Sequence, residues 1–163
     1  MIIMGIDPGL AIVGYGIVNS EKGNVTATDY GVIETPKNES VPARLHMIYD
    51  GMNALFDKYK PDCVALEELF FTKNITTGIN VAQARGVILL ACSDRCGRLY
   101  EYTPMQIKQA ITGYGKADKK QMQFMVTRML RLKSIPRPDD AADALAVALT
   151  HSQSARLGGL FSI

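Results

Sequence analysis

The sequence has little of what marks a membrane-bound, secreted or zinc-stabilised protein. Its apolar runs reach six residues, as at 87–92, whereas a membrane-spanning helix needs about 20. The amino terminus lacks the basic start and small-residue cleavage site of a signal peptide. Three cysteines, an odd number, and two histidines do not favour a disulfide framework or a zinc site. We therefore expect a cytoplasmic protein with no membrane partner, in which Cys63, Cys92 and Cys96 act as small buried hydrophobes.

Long tracts of Pro, Gln or Ser are also missing, which argues against disordered linkers. The 163 residues are 47% hydrophobic and 21% charged, a composition typical of one compact domain rather than two. A domain of this length buries roughly 70% of the surface of its unfolded chain. The sequence thus predicts a single domain with a sizeable core.

The net charge is only +2, but it is unevenly distributed. Residues 104–137 contain eight Lys and Arg but one Asp, a net charge of +7, so the rest of the chain carries −5. A basic region beside an acidic remainder is typical of a protein that binds a polyanion at one place and concentrates carboxylates at another. The alternative is an ordinary solvated helical face.

The apolar periodicity predicts an α/β fold. Short segments rich in β-branched and apolar residues are expected strands, and segments with helical spacing or helix-start signals are expected helices. The strands are predicted at 2–6, 11–18, 25–33, 63–66 and 99–102, and the helices at 42–59 and 77–92 and after 104, 118 and 138. Three sequential strands followed by alternating helices and strands indicate a mixed sheet with helices packed on it.

Two of these helices have a surface that packing against the sheet does not by itself explain. In the helix at 77–92, small residues recur every fourth position and form a flat stripe that faces either the sheet or a second subunit. The stripe consists of Gly78, Ala82 and Gly86. In the helix after residue 118, Lys120, Phe124, Arg128 and Arg131 lie roughly opposite the apolar side. That basic side is available to a ligand.

Carboxylates attached to apolar elements stand out as candidate functional groups. Asp7 ends the first strand, Glu67 follows the next buried strand, and Asp143 lies within a helix rich in Ala, Leu and Val. A carboxylate beside a core is costly to desolvate, and neighbouring carboxylates raise each other's proton affinity unless a cation intervenes. Asp139 and Asp140 are four and three residues from Asp143, so either can share its face of the helix.

A hard divalent cation such as Mg2+ resolves this conflict, because it prefers oxygen ligands and substrate phosphates. Two such ions about 4 Å apart can activate water and stabilise the departing oxygen of a phosphodiester. These carboxylates therefore favour hydrolysis of nucleic acid, although a turn role for Asp7 and ordinary ion pairs for Glu67 and Asp143 are simpler alternatives. His151 is expected to be a surface or capping residue rather than a catalyst.

Several motifs together resemble the RuvC family of bacterial Holliday junction resolvases. They are, in order, Gly5-Ile6-Asp7-Pro8-Gly9 with Gly14-Tyr15-Gly16, Ala65-Leu66-Glu67 followed by Phe70, Gln83-Ala84-Arg85-Gly86, and Asp140-Ala141-Ala142-Asp143-Ala144-Leu145-Ala146. Each motif alone is weak, but the ordered combination is specific. The resemblance implies an RNase H-like fold with a mixed five-stranded sheet flanked by helices. It assigns residues 1–153 to the nuclease domain and residues 154–163 to a short carboxy-terminal tail.

The resemblance also implies an activity and its partners. A homodimer would resolve four-way DNA junctions in recombination and repair by Mg2+-dependent, symmetric nicking of two strands. Two ions would bind per subunit, and Mn2+ would be able to substitute. The implied protein partner is the RuvA–RuvB branch-migration complex.

Site residues are carried over by the family pattern. Asp7, Glu67, Asp140 and Asp143 resemble the catalytic, metal-binding quartet, with the adjacent Glu68 and Asp139 as alternatives. The positions expected to bind DNA are Phe70 at the junction and Lys108, Lys116, Lys119 and Lys120 at phosphates. Arg85 either supports the site or forms an ion pair.

Three other functions compete with this interpretation. A sugar-kinase or chaperone-type ATPase also has Asp-x-Gly after a strand, but it needs a second comparable domain, for which 163 residues leave no room. A related nuclease acting on ribosomal RNA precursor shares the fold, and fold alone does not separate the two. A non-catalytic DNA-binding module would explain the basic region but not the four carboxylates.

Overall fold

Five strands and five helices make up the part of the chain that the computed structural model describes, residues 1–69, 75–154 and 161–163. The strands are β1 (Ile2–Asp7), β2 (Ile12–Glu21), β3 (Asn24–Glu34), β4 (Cys63–Glu67) and β5 (Leu99–Tyr102). The helices are α1 (Val41–Tyr59), α2 (Ile75–Arg95), α3 (Pro104–Thr112), α4 (Lys119–Met129) and α5 (Asp139–Ser154). This order confirms the predicted α/β organisation. Within the described residues, no helix is long and apolar enough to cross a membrane.

The strands form one mixed sheet in the order β3-β2-β1-β4-β5. The first three strands are an antiparallel meander, and β1, β4 and β5 run parallel to one another. The predicted mixed five-stranded sheet is therefore confirmed. The parallel pairing of β1 with β4 places the carboxyl ends of two buried strands side by side.

The hairpin between β2 and β3 is tighter than the sequence predicted. Residues 19–24 were expected to form the connection, but Asn19, Ser20 and Glu21 continue the β2 ladder and pair with β3. The turn is confined to Lys22 and Gly23, both with positive φ, 49° and 85°. Two consecutive residues of positive φ fit the twist of a two-residue hairpin. These three polar residues are therefore paired strand residues at the end of the hairpin rather than loop residues.

Local sequence signals set the helix boundaries. α1 begins after Ser40, whose hydroxyl accepts from the Ala43 amide, and ends at Lys60 in the left-handed conformation. A capping box is present at the start of α3, and a second is present at the start of α4. In each box the cap side chain accepts from the third amide, and a Gln returns the bond to the cap amide. These helices start where the sequence predicted.

The two faces of the sheet bury two apolar clusters. One face packs α1 and α2 over residues such as Met4 and Ile6, and the other packs α3, α4 and α5 over residues such as Ile3 and Ala65. α5 approaches β1 closely because Gly5 has no side chain. A Cβ at Gly5 would lie 2.1 Å from the carbonyl oxygen of Ala144, so the helix backbone rests directly on the strand.

His151 is a core residue, so the expectation of a surface or capping residue was wrong. Its side chain is 3% exposed, and its Nδ1 lies 2.8 Å from the hydroxyl of Tyr102. Burial lowers the pKa of His151. The cause is that every residue of α5 from Ala144 to His151 is buried, so this part of the helix has no solvent face. Phe161 also packs on Tyr102, the partner of His151, with ring centroids 4.8 Å apart.

Two of the three cysteines behave as predicted, and Cys96 is less buried than expected. Cys63 and Cys92 are buried, Cys96 is half-buried, and all three are free thiols. Burial raises the pKa of both Cys63 and Cys92 to about 12. Thiols with such pKa values stay protonated and act as small hydrophobes.

Candidate active site

Asp7 and Glu67 lie together because their strands are parallel neighbours. Ile6 of β1 pairs with Leu66 of β4, and each carboxylate follows directly at the carboxyl end of its strand. Side chains alternate along a strand. Asp7 therefore shares the face of Ile3, and Glu67 shares the face of Ala65, both in the cluster beneath α5.

The start of α5 brings two further carboxylates to the same edge. Asp140 packs over Gly14, the residue of β2 that pairs with Asp7. A Cβ at Gly14 would lie 2.1 Å from the carbonyl oxygen and 3.2 Å from the Cβ of Asp140, so the absent side chain makes room for this helix terminus. Asp143 lies three residues further along α5 and lines one cavity with Glu67.

The four carboxylates act on one another electrostatically. Burial and, to a lesser extent, the charges of Glu67, Asp143 and Asp140 together raise the pKa of Asp7 to about 8, against the opposing charge of Lys119. Burial and Asp143 raise the pKa of Glu67 to about 7, against the opposing charges of Lys108 and Lys119. Burial also raises the pKa of Asp143, although Lys119 opposes it. The acidic quartet predicted from the sequence thus converges on one edge of the sheet.

Among the residues whose positions are described, Lys119 is the cation that forms an ion pair with a member of this quartet. Its ammonium nitrogen lies 3.3 Å from a carboxylate oxygen of Asp143 and 3.3 Å from one of Asp139. Sequence reasoning assigned Lys119 to phosphate binding and missed these ion pairs. The Asp118 cap fixes Lys119 as the first residue of α4, but it does not specify where α4 lies relative to α5.

Asp139 and Asp140 have different surroundings. Asp139 accepts a hydrogen bond of 2.9 Å from Gln123 and pairs with Arg137 and Lys119. Burial alone would raise the pKa of Asp139, but the hydrogen bonds from Lys119 and Gln123 lower it. Asp139 is thus a satisfied ion-pair partner, whereas Asp140 sits over Gly14 beside Asp7.

Glu68 differs from Glu67 in a similar way. Its backbone amide donates to the carbonyl of Tyr102 at 2.9 Å, which continues the ladder between β4 and β5. Because the two glutamates are consecutive, their side chains point to opposite faces of this extended segment. The α5 face therefore belongs to Glu67.

The basic residues predicted to bind DNA fall into two groups. Lys108 and Lys119 line the cavity that holds Glu67 and Asp143. Lys116 and Lys120 are exposed outside that cavity lining. Phe70, the predicted aromatic contact at the junction, lies outside the described residues.

Arg85 adopts the ion-pair alternative. It pairs with Glu101 on β5, and both side chains are mostly buried. Glu101 pairs with Leu66 in the sheet, so this ion pair lies one strand away from the carboxylate edge. Among the described residues, the Nε of Arg85 is a buried polar atom without a hydrogen-bond partner.

No preformed metal-binding shell is present among residues 1–69, 75–154 and 161–163, since no three His, Cys, Asp or Glu side chains there are grouped closely enough to hold an ion. The donor chemistry nevertheless suits a hard divalent cation, which prefers carboxylate oxygens. Burial first, and the charges of neighbouring carboxylates second, raise the pKa values of Asp7 and Glu67, so negative charge at this edge is poorly compensated. A cation would relieve this repulsion.

Comparison with known proteins decides the family. The sequence model of the family described as "Crossover junction endodeoxyribonuclease RuvC" matches residues 3–151. The chain belongs to the RuvC family. RuvC of Clostridioides difficile strain 630 is 53% identical over 157 residues, which cover 96% of this chain and 93% of that protein.

Solved RuvC structures agree over the whole chain. The Thermus thermophilus RuvC structure matches with a TM-score of 0.90 and 37% identity and covers 100% of both chains. The T. thermophilus RuvC structure in complex with a Holliday junction substrate matches with a TM-score of 0.93 and 35% identity, covering 100% of this chain and 99% of that one. These matches confirm the RNase H-like fold. The family assignment confirms the predicted class of activity, a crossover junction endonuclease of recombination and repair.

Proposed function

We propose that this chain resolves four-way DNA junctions by symmetric, Mg2+-dependent nicking of two strands. The observation that carries the proposal is the meeting of Asp7, Glu67, Asp140 and Asp143 at one edge of the sheet, beside Lys119. A non-catalytic DNA-binding module would have no use for a group of half-buried carboxylates, which repel phosphates. The family assignment and the bound substrate of the T. thermophilus protein support a DNA junction rather than ribosomal RNA precursor.

Asp7, Glu67, Asp140 and Asp143 would hold the metal, with two Mg2+ per subunit and Mn2+ as a substitute. When bound, such ions activate water and stabilise the leaving oxygen of the phosphodiester. Asp7 and Glu67 fit this role because strand pairing fixes both carboxylates. Asp140 and Asp143 fit it because α5 is seated rigidly on the sheet.

Lys108 and Lys119 would bind the phosphate next to the cut, since both line the cavity that holds Glu67 and Asp143. The charges of these lysines also oppose the rise in the pKa of Glu67 that its burial causes. Lys116 and Lys120 would contact phosphates further out, because both are exposed. Such contacts fix the position of the DNA without reading its sequence.

Phe70 would stack on or between bases at the branch point. The support for this role is its sequence position, three residues after Glu67, and the family pattern that places an aromatic residue there. An aromatic ring can insert at an unstacked base step. A cytoplasmic location and the RuvA–RuvB complex as partner rest on the family assignment alone.

A homodimer would place two active sites on one junction. The outer face of α2 carries exposed Ile79 and Leu90, with Ala82 and Gly86 between them. The sheet is instead contacted by residues such as Ile88 on the opposite face. Of the two alternatives for the small-residue stripe, a second subunit is therefore favoured, and an apolar groove beside it, lined by Leu45, Tyr49 and Val87 among others, extends the surface.

The test is cleavage of end-labelled four-way junctions and of linear duplexes that contain the same arm sequences, with Mg2+ or with a chelator. We expect paired, symmetric nicks in the junction only, and only with Mg2+. Equal cleavage of the linear duplex, or cleavage that survives the chelator, would contradict the proposal.

A further inference from the structure

The solvent face of α4 carries an aromatic ring between two cations. Phe124 is 59% exposed, and the exposed Lys120 and Arg128 lie four residues before and after it. Residues four apart are neighbours on one face of a helix. The core contacts of α4 are made by Met122 and Val126, so Phe124 is not needed to hold the helix on the protein.

A second aromatic side chain borders the same surface. Tyr114, in the turn between α3 and α4, is 58% exposed. Tyr114 and Phe124 line one groove together with Thr112, Ala117, Gln121 and Met125. We call Tyr114, Lys120, Phe124 and Arg128 the α4 stripe.

The charge of α4 fits a polyanion. The helix contains no acidic residue, and the carboxylate of Asp118 at its cap accepts the Gln121 amide at 2.8 Å. The helix also starts at the carboxylate edge, because Lys119 pairs with Asp143. At 1.5 Å per residue, Phe124 lies about 7 Å and Arg128 about 13 Å along the axis from Lys119. A strand that leaves the carboxylate edge along α4 would reach the stripe within a few nucleotides.

We propose that the α4 stripe binds single-stranded DNA, with bases stacked on Phe124 and Tyr114 and phosphates at Lys120 and Arg128. Exposed aromatic rings beside cations are the arrangement that binds unpaired strands, because every base has a π face and every nucleotide a phosphate. A double-stranded arm would contact the cations but would not stack on the aromatic rings. The inference rests on the proposed function only for the source of the strand, which would be nucleotides that lose their pairing at the branch point when the junction is bound.

The test measures binding of a labelled oligo(dT) to the full chain by fluorescence anisotropy, without divalent ions so that no strand is cut. Phe124→Leu keeps an apolar side chain but removes the π face, and we expect about tenfold weaker binding, since stacking is worth about 1–3 kcal/mol per base. Tyr114→Leu should have a similar effect. Phe124→Trp should bind at least as tightly as the wild type. Ile135→Ala, at another exposed apolar side chain, is the control and should bind normally.

A salt titration separates the cations from the rings. Lys120→Gln and Arg128→Gln should each lower the slope of log affinity against log salt by about 0.7, the value per phosphate for single strands. Phe124→Leu should leave that slope unchanged. Melting curves of each variant check that the fold is intact, as expected for exposed positions.

Wild-type affinity in Phe124→Leu, or no binding of oligo(dT) by the wild type, would overturn the proposal. If Phe124→Leu instead lowers self-association in sedimentation, the surface is a protein interface and the proposal is also wrong. Failure of the proposed function has a different signature: the wild type would not nick junctions in Mg2+, whereas its Phe124-dependent binding of oligo(dT) would persist.

Discussion

The ammonium nitrogen of Lys119 lies 3.3 Å from a carboxylate oxygen of Asp143. The two residues come from different helices, and the pair sits in the cavity that Glu67 also lines. In this arrangement a side-chain cation offsets part of the negative charge at the carboxylate edge. A divalent ion held by Asp143 would compete with that lysine.

We expect Lys119→Met to bind divalent ions more tightly than the wild type and to cut junctions more slowly. Removing the lysine removes both a competing cation and a phosphate contact. Because the lysine is about half-exposed, the bulk-water value applies, and a charge this close is worth about 1 kcal/mol, or roughly fivefold in affinity. The measurement is Mn2+ titration followed by electron paramagnetic resonance. Lys120→Met, one residue along and outside the cavity, is the matched control and should leave Mn2+ affinity unchanged.

The assignment of Asp140, rather than the adjacent Asp139, to the acidic quartet predicts that substitutions at these two positions have different effects on cleavage. Asp140→Asn should lose junction cleavage by at least about 100-fold, a loss typical of removing one catalytic group, whereas Asp139→Asn should stay within about tenfold of the wild type. The reason is that Asp139 is satisfied by Gln123, Arg137 and Lys119. Rates on labelled junctions in Mg2+ provide the readout, and the reverse order of the two variants would show that the quartet is misassigned.

Asp7→Asn should retain junction binding while cleavage is lost. The substitution keeps the shape of the side chain and cannot carry a negative charge that repels phosphate, so binding in the absence of divalent ions should equal that of the wild type at neutral pH and be tighter above about pH 8, where Asp7 ionises. Gel-shift titrations and cleavage rates on the same junction separate the two effects. Unchanged turnover in this variant would exclude Asp7 from the site.

The stability of the metal-free protein should fall as pH rises. The pKa of Asp7 is about 8 in the folded protein, against an ordinary value of 3.8. The folded state therefore holds a proton that the unfolded chain has released, and this favourable contribution, complete below pH 3.8, is lost as pH rises through about 8. Glu67 adds a similar loss that is complete near pH 7.

Urea unfolding in a chelating buffer measures this dependence. Asp7→Asn should flatten the decline and stabilise the metal-free protein near pH 8 by at least about 1 kcal/mol, since each unit of pKa shift is worth about 1.4 kcal/mol. A parallel decline in wild type and variant would mean that Asp7 is not the group that titrates.

The exposed apolar face of α2 predicts that a charged substitution there changes the oligomeric state. Gly86 is exposed, and a Cβ there would meet no atom within 4 Å, so Gly86→Arg should fold normally as a single chain. If this face is the subunit interface, the long charged side chain should shift the protein to monomers in sedimentation. Gln83→Arg is the comparison. Gln83 is also exposed, but its side chain is already polar and long, so this variant should dimerise more like the wild type than Gly86→Arg does.

Much of the fold could be predicted because local signals and tertiary packing agree. The strand at 99–102 and the starts of α3 and α4 follow from apolar runs and capping boxes. His151 was mispredicted because a polar residue near a helix end is usually exposed, while here the hydroxyl of Tyr102 satisfies it within the core. That partner comes from a different element and leaves no local trace in the sequence.

The candidate site was predictable in its residues but not in its ion pairs. Strand ends and helix spacing bring Asp7, Glu67 and Asp143 to one edge, which the sequence indicates. Asp140 packs over Gly14, and the position of Gly14 next to Asp7 depends on the antiparallel register of β1 and β2. The ion pair of Lys119 with Asp143 likewise depends on the relative position of two helices, which local sequence does not specify.

The central claim, that Asp7, Glu67, Asp140 and Asp143 share divalent ions, is tested most directly by counting bound metal. Mn2+ titrated into the metal-free protein should occupy two sites per chain in the wild type, and Asp7→Asn and Asp143→Asn should each lose at least one of them, while Asp139→Asn keeps both. Equal Mn2+ occupancy and affinity in the wild type, Asp7→Asn and Asp143→Asn would contradict the account.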